Sequence, residues 1–199
     1  MKKIVLAMTL LLVCAAGATA QTAKSVLDKA AANISNKSGV SANFTMTGGM
    51  GNVSGTIAVK GRKFHATTPV ATVWFNGKTQ WTYMKKNDEV NVSTPTEAQL
   101  QAINPYNFIN IYKQGYKSTM SQSGQAYTVH LTATDQKRKI QELFITVDKK
   151  TYNPTQVKML QGKKWTTFDV RNLKKQTLSD AMFSFNSKDF PTAEVIDLR

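Results

Sequence analysis

Apolar and polar residues alternate along most of the chain beyond residue 39. Val40, Ala42, Phe44 and Met46 are interleaved with Ser41, Asn43, Thr45 and Thr47, the period of a half-buried strand. After the turn Gly48-Gly49-Met50-Gly51, Val53, Gly55, Ile57 and Val59 continue the alternation, with Ser54, Thr56 and Lys60 opposite. Gly61 breaks it, and residues 62–67 resume it around Phe64. Two stretches have a different period. Residues 22–35 place Val26, Leu27, Ala30, Ala31 and Ile34 at helical spacing, ended by Gly39. Residues 95–113 open on Thr94-Pro95, with Glu97 three residues after Thr94 as in a capping box, and carry Leu100 and Ile103 on one helical face. Asn104-Pro105 restarts that pattern, and Tyr106, Phe108, Ile109, Ile111 and Tyr112 leave it apolar nearly all round until Gly115.

Between Thr72 and Ser93 the strands become aromatic. Asn76-Gly77 separates two such runs and predicts a tight type I′ hairpin, in which both central residues need positive φ. Trp74, Phe75, Trp81 and Tyr83 crowd four rings into ten residues, more than a hairpin needs, so something covers or binds them. Asn87-Asp88 then turns into a third strand over residues 89–92.

From Tyr116 the period is again two. Tyr127, Val129, Leu131 and Ala133 form one strand face, and Leu143, Ile145 and Val147 another. Val157 and Met159, residues 165–170, a short strand at Phe183 and Phe185, and residues 195–199 follow, separated by turns. Strands at short spacing without alternating helices predict a mainly β, α+β domain with a mostly antiparallel sheet. So many strands curl toward a barrel, and only the first helix and residues 95–113 are available to plug or cover it.

The N-terminus changes where this domain is expected to work. Lys2 and Lys3 precede an apolar run from Ile4 to Ala16, and Ala18-Thr19-Ala20 precedes Gln21. This predicts a signal peptide over residues 1–20, cleaved after Ala20, and a single domain over 21–199. The run is too short to span a membrane. Lipidation at Cys14 fits poorly, because Val13 stands where a small residue is wanted. Cleavage removes the one cysteine, so the mature chain is expected to have no disulfide, thiol nucleophile or thiolate ligand. The formal charge of +14 falls to +12 without Lys2 and Lys3. On an exported protein that charge suits anionic lipid surfaces or acidic partner proteins rather than nucleic acid, or is simply a soluble basic surface.

Catalytic patterns are missing from the sequence. His65 and His130 are the only histidines, each in a strand with no second ligand at metal spacing. There is no Gly-x-Ser-x-Gly elbow, and the glycines at 48–51 lack a phosphate-loop lysine. Asp88-Glu89 and the Lys137-Arg138-Lys139 run read as solvated turns. The expectation is a binding protein without metal or other cofactor.

Three runs then carry a resemblance: Thr56-Ile57-Ala58-Val59-Lys60, residues 74–83 with the pattern Asn-Gly-Lys-Thr-x-Trp-x-Tyr, and Glu89-Val90-Asn91-Val92. With Asn104-Pro105 and the closing Pro191 to Arg199, they resemble the LolA family of periplasmic outer-membrane lipoprotein carriers, over essentially the whole mature chain. The resemblance implies a strongly curved, incomplete antiparallel barrel with a helical lid over an apolar cavity. It implies acylated lipoproteins as cargo, received from an inner-membrane lipoprotein-releasing complex and passed to an outer-membrane acceptor by a soluble periplasmic monomer. The residues expected to line cavity and lid are Phe44, Met46, Ile57, Val59, Phe64, Trp74, Phe75, Trp81, Tyr83, Phe108, Ile109, Ile111 and Tyr112. Family members carry an Arg-Pro step after the Val-Lys that matches Val59-Lys60, and that arginine helps hold the lid. Here Gly61 intervenes and Arg62-Lys63 follows without proline, so Arg62 is the match with its register moved by one residue.

The residues alone are equally satisfied by aromatics that form an ordinary core. A lipid- or lipoprotein-binding sensor of the same fold that does not shuttle, and a secreted lipid hydrolase, are the alternative functions. Hand-over of cargo to an acceptor separates the first from a carrier, and ester hydrolysis separates the second.

Overall fold

The structure, a computed structural model, describes residues 22–49, 51–96, 99–100 and 110–199. The expected signal peptide, Cys14, Phe108 and Ile109 lie outside the described residues, as does most of the expected lid.

Among the described residues, one complete helix, α1 (Ala23–Ile34), precedes twelve strands. They are β1 (Val40–Gly48), β2 (Val53–Lys60), β3 (Lys63–Thr67), β4 (Ala71–Phe75), β5 (Gln80–Met84), β6 (Glu89–Ser93), β7 (Tyr116–Ser123), β8 (Ala126–Ala133), β9 (Ile140–Asp148), β10 (Pro154–Gln161), β11 (Lys164–Lys175) and β12 (Glu194–Asp197). They form one open sheet in the order β12-β6-β5-β4-β3-β2-β1-β11-β10-β9-β8-β7. Every pairing is antiparallel except β12 on β6, which is parallel. Among the described residues, no helix is long and apolar enough to cross a membrane.

The sheet curves because its inner face closes on α1. Thr22 caps that helix, its Oγ1 accepting from the Ser25 N–H at 3.1 Å. The apolar stripe Val26, Leu27, Ala30, Ala31 and Ile34 is buried. Strands β4 and β8 stand seven steps apart in the sheet, about 34 Å if it were flat at ~4.8 Å per step. Yet Phe75 of β4 and Leu131 of β8 belong to one core with the α1 stripe. The far end of α1 is fixed by polar contacts. The Asn33 side-chain amide donates to the Thr151 carbonyl at 2.8 Å, and Lys175 donates to Asn33 Oδ1 at 2.9 Å.

The outer face has a second layer that the sequence pattern does not reveal. After β11 the chain crosses back over β2–β6. Leu178 and Phe183 bury against Ala58. Phe190 packs on Trp74 and Tyr83, with ring centroids 5.5 and 4.6 Å apart, and Phe185 packs on Trp74 at 5.6 Å. Ion pairs fasten this strap: Asp180 lies 2.9 Å from Lys60 Nζ and 3.2 Å from Lys63 Nζ, while Lys60 also donates to the Leu178 carbonyl at 2.8 Å.

Two local expectations change, and a capping contact is added. Phe183 closes a 3-10 turn (Asp180–Phe183) and Phe185 follows in coil, so the expected strand there is replaced by the strap; Ser179, accepting from the Ala181 N–H, starts the turn. The β4–β5 turn is centred on Gly77-Lys78 rather than Asn76-Gly77. Asn76 donates its N–H to the Thr79 carbonyl, and only Gly77 has positive φ, the pattern of a turn with glycine first. The Asn76 carboxamide oxygen instead accepts from the N–H groups of Lys78 and Thr79. A capping box forms at Thr96, where Gln99 N–H donates to Thr96 Oγ1 and Thr96 N–H to Gln99 Oε1; Glu97 of the box expected at Thr94 lies outside the described residues.

Candidate functional site

Side chains directly opposite each other on neighbouring strands share a face, so the register sorts the site residues. Phe44 and Met46 of β1 face Gly55 and Val53 of β2 on one side, and Val170 and Phe168 of β11 on the other. Ile57, Val59, Phe64 and Phe75 continue the same inner face across β2, β3 and β4. Val59, Phe64 and Phe75 are buried in the core beneath α1. Phe44, Met46, Val53, Ile57, Phe168 and Val170 are only partly buried, and together make an apolar stripe along the middle of the inner face.

Gly55 is part of how that stripe is built. A Cβ there would lie 2.2 Å from the Thr67 carbonyl oxygen and 3.0 Å from the Phe44 ring. The missing side chain lets the Phe44 ring settle over the strand, and β3 approach β2, at the point where the stripe is widest.

Trp74, Trp81 and Tyr83 are on the other face. Trp74 opposes Trp81, and the outer row runs Ala58, His65, Trp74, Trp81, Val92. His65 stacks on Trp74 at 5.5 Å, and burial pushes its imidazole pKa down. These rings meet the strap, so the expected site is divided: Phe44, Met46, Ile57, Val59, Phe64 and Phe75 come together inside, and the two tryptophans with Tyr83 gather outside. Phe108 and Ile109 lie outside the described residues. Arg62 is exposed at the tip of the β2–β3 turn, beside Gly61 at φ +58°, and is engaged in an interaction of its own.

The ends of the 95–113 segment are anchored on the inner side. Leu100 is 3 % exposed within the main core. Ile111 and Tyr112 pack against the same core. The Tyr112 hydroxyl donates to Asp28 Oδ1 on α1. Burial, reinforced by that carboxylate, raises the Tyr112 pKa. Hydrogen bonds from Lys24, then from Tyr112, lower that of Asp28.

Neither face assembles reactive chemistry among the described residues. They hold no group of three or more His, Cys, Asp or Glu side chains placed to bind a metal. His130 meets Glu142 at 2.9 Å on the outer face, with Phe144 stacked on its ring and the Thr132 hydroxyl 3.5 Å from the same ring nitrogen. What the arrangement can do is bury apolar chains. Val53, Phe168 and Val170 were not singled out by the sequence reading. Their signal was there in the alternation of residues 53–59 and 165–170, but only the register shows that these strands flank β1.

A family model described as outer membrane lipoprotein carrier protein LolA matches residues 13–163. No curated protein matches the chain in sequence. Among solved structures, an uncharacterized conserved protein from Thermus thermophilus superposes with a TM-score of 0.60 at 14% identity, covering 88% of this chain and 98% of that one. That likeness shows the fold. A LolA superfamily protein from Nitrosomonas europaea gives 0.45 at 13% identity over 82% and 98% of the two chains. The MucA/MucB complex of Pseudomonas aeruginosa gives 0.45 at 12% identity over 80% and 60%.

Proposed function

The chain belongs to the LolA family of outer membrane lipoprotein carrier proteins, and from that premise we propose that it receives the acyl chains of lipoproteins on the inner face of its sheet and shuttles them from inner to outer membrane. The observation that carries this reading is the half-buried apolar stripe of Phe44, Met46, Val53, Ile57, Phe168 and Val170, continuous with a core that α1 closes. Each methylene buried there is worth about 0.8 kcal/mol, so a few partly inserted chains bind firmly and still transfer. Binding of this kind needs no reacting group and no cofactor, and we read the protein as a carrier rather than an enzyme.

On this reading Val59, Phe64 and Phe75 form the floor beneath the chains. Residues 95–113 act as the lid, hinged where Leu100 and Tyr112 hold its ends, with Phe108 and Ile109 on its apolar surface and Arg62 tying it shut. Trp74, Trp81 and Tyr83 belong to the outer layer and contribute rigidity. Residues 1–20 direct export and are removed, leaving residues 21–199 as one monomeric domain in the periplasm. Cargo comes from an inner-membrane releasing complex and passes to an outer-membrane acceptor.

The test is loading and transfer of a labelled triacylated lipoprotein. The wild-type protein is expected to take it up from detergent and release it to acceptor membranes. Phe44→Ala with Phe168→Ala is expected to load poorly while the fold is retained. Loading equal to wild type in that pair would move the site elsewhere, and release of fatty acid during incubation would make the protein a hydrolase.

A further inference from the structure

We infer that the end of the sheet bearing the β5–β6, β8–β9 and β10–β11 turns is a docking face for an anionic lipid bilayer. Pairing at Met84/Glu89, Gln161/Lys164 and Tyr116/Ala133 places these three turns along one end, together with the β1–β2 turn beyond Met46/Val53. Lys85 and Lys86, Lys137 and Lys139, and Lys163 and Lys164 project there, all exposed.

The charge at this end is concentrated on neighbouring turns, and it is available. Among the described residues none of these six lysines forms an ion pair, and Lys85 reaches only the Thr68 carbonyl. The acids beside them are occupied: Asp88 accepts from the Tyr83 hydroxyl, Glu89 from the Asn87 amide, and Asp135 from the Lys137 backbone N–H. At the opposite end several cations are committed to the fold, while Lys37, Lys78, Lys150 and Lys174 are exposed and, among the described residues, without an ion pair, and make an equal-charge control. Lys60 and Lys63 hold Asp180, Lys175 holds Asn33, and Lys29 and Lys149 lie over the rings of Tyr152 and Tyr127.

A bilayer suits this surface better than a protein does. A protein interface is centred on buried apolar or aromatic anchors. Here, among the described residues, separate cations on three turns accompany one exposed apolar side chain, Val70 on the β3–β4 turn, rather than a buried aromatic centre, which matches a fluid sheet of negative headgroups. The apolar stripe runs out at the same end, since Met46 and Val53 are its last paired inner residues. Docking in this way turns the open end of the stripe toward the membrane. The inference deepens the carrier reading and rests on it for its purpose, but binding to lipid is measured without cargo.

The experiment is co-sedimentation of the chain from Gln21 onward with vesicles of phosphatidylcholine alone or with phosphatidylglycerol added. The wild-type chain is expected to sediment only with the anionic vesicles, and to be released as salt rises. Each cation near such a surface is worth roughly fivefold in binding. K85E/K86E/K163E/K164E is therefore expected to lose more than about tenfold, whereas K37E/K78E/K150E/K174E at the other end retains binding. Equal losses in both variants, or equal sedimentation of the wild-type chain with neutral vesicles, would overturn the docking face. Circular dichroism melts confirm that both variants are folded. Uptake of a fluorescent fatty acid without vesicles tests the stripe separately, so failure there counts against the carrier reading and not against docking.

Discussion

The Tyr112 hydroxyl donates to the Asp28 carboxylate, joining the C-terminal end of the expected lid to the middle of α1. Asp28 also receives Lys24 at 2.7 Å. This is a tether between two segments 84 residues apart in sequence.

Removing the tether tests it. Tyr112→Phe is expected to lower unfolding stability by about 1 kcal/mol, the lower part of the range for a bond to a charged group because Asp28 is partly in water. The pH dependence has a definite sign. Asp28 has a folded pKa below 3.8, so its contribution is present above that value and fades as pH falls through the lowered one. Tyr112 has a folded pKa above 10.0, so its contribution is present below that value and fades as pH rises through the raised one. Denaturant melts should show the wild-type advantage over Tyr112→Phe across the neutral range and its loss in acid and strong alkali.

Gly55→Ala should destabilise by about 1–3 kcal/mol, the usual cost of overpacking. The new Cβ meets a backbone carbonyl that cannot swing aside. Thermal unfolding reads the effect, and a Phe44→Ala background should recover only the part due to the ring.

The two faces should separate stability from binding. Phe183→Ala removes a fully buried ring from the outer layer and is expected to cost about 3 kcal/mol or more, with acyl uptake of the remaining folded protein unchanged. Phe44→Ala is expected to cost less than about 1.5 kcal/mol, because the ring is only half-buried, and to reduce uptake clearly. Paired denaturant melts and fluorescent fatty-acid titrations give both numbers for each variant.

Arg62→Leu is expected to leave cargo loading intact and slow its release to an acceptor. The residue sits at an exposed turn, so the stability change should be within about 0.5 kcal/mol. Wild-type transfer rates would remove Arg62 from the lid.

Strands and helix were legible because burial on one side imposes a period. Val26 to Ile34 and Val40 to Met46 sit where the spacing predicts them. Sidedness was less legible at β4. Val73-Trp74-Phe75 is apolar on consecutive residues, so alternation cannot say which ring faces inward. A continuous apolar run does imply cover on both faces, and that was the available signal for the strap. The strap has no period of its own: Leu178, Phe183, Phe185 and Phe190 are spaced by irregular turns. Its parallel return on β6 is a long-range pairing with no local signature. The β4–β5 turn moved by one residue because the Asn76 side chain satisfies the backbone N–H groups of Lys78 and Thr79, leaving the positive φ to Gly77 alone.

The strap runs from the end of β11 to the far edge at β6, fastened at Lys60, Lys63, Trp74 and Tyr83 along the way. Mechanically it is a splint on half of the sheet. Strands β2–β6 are held by a second layer, whereas β7 is an edge strand with β8 as its single neighbour in the sheet. Between the halves, β1 and β11 are joined through a bulge at Ser41/Asn43, with Asn172 at φ +54°. Flexure of the sheet is therefore expected along the β1–β11 seam and in β7–β10, the seam already being bent by its bulge. If the inner face holds acyl chains as proposed, an open sheet braced on one side would act as a spring clip, its grip adjusting to their girth without breaking a ladder of hydrogen bonds.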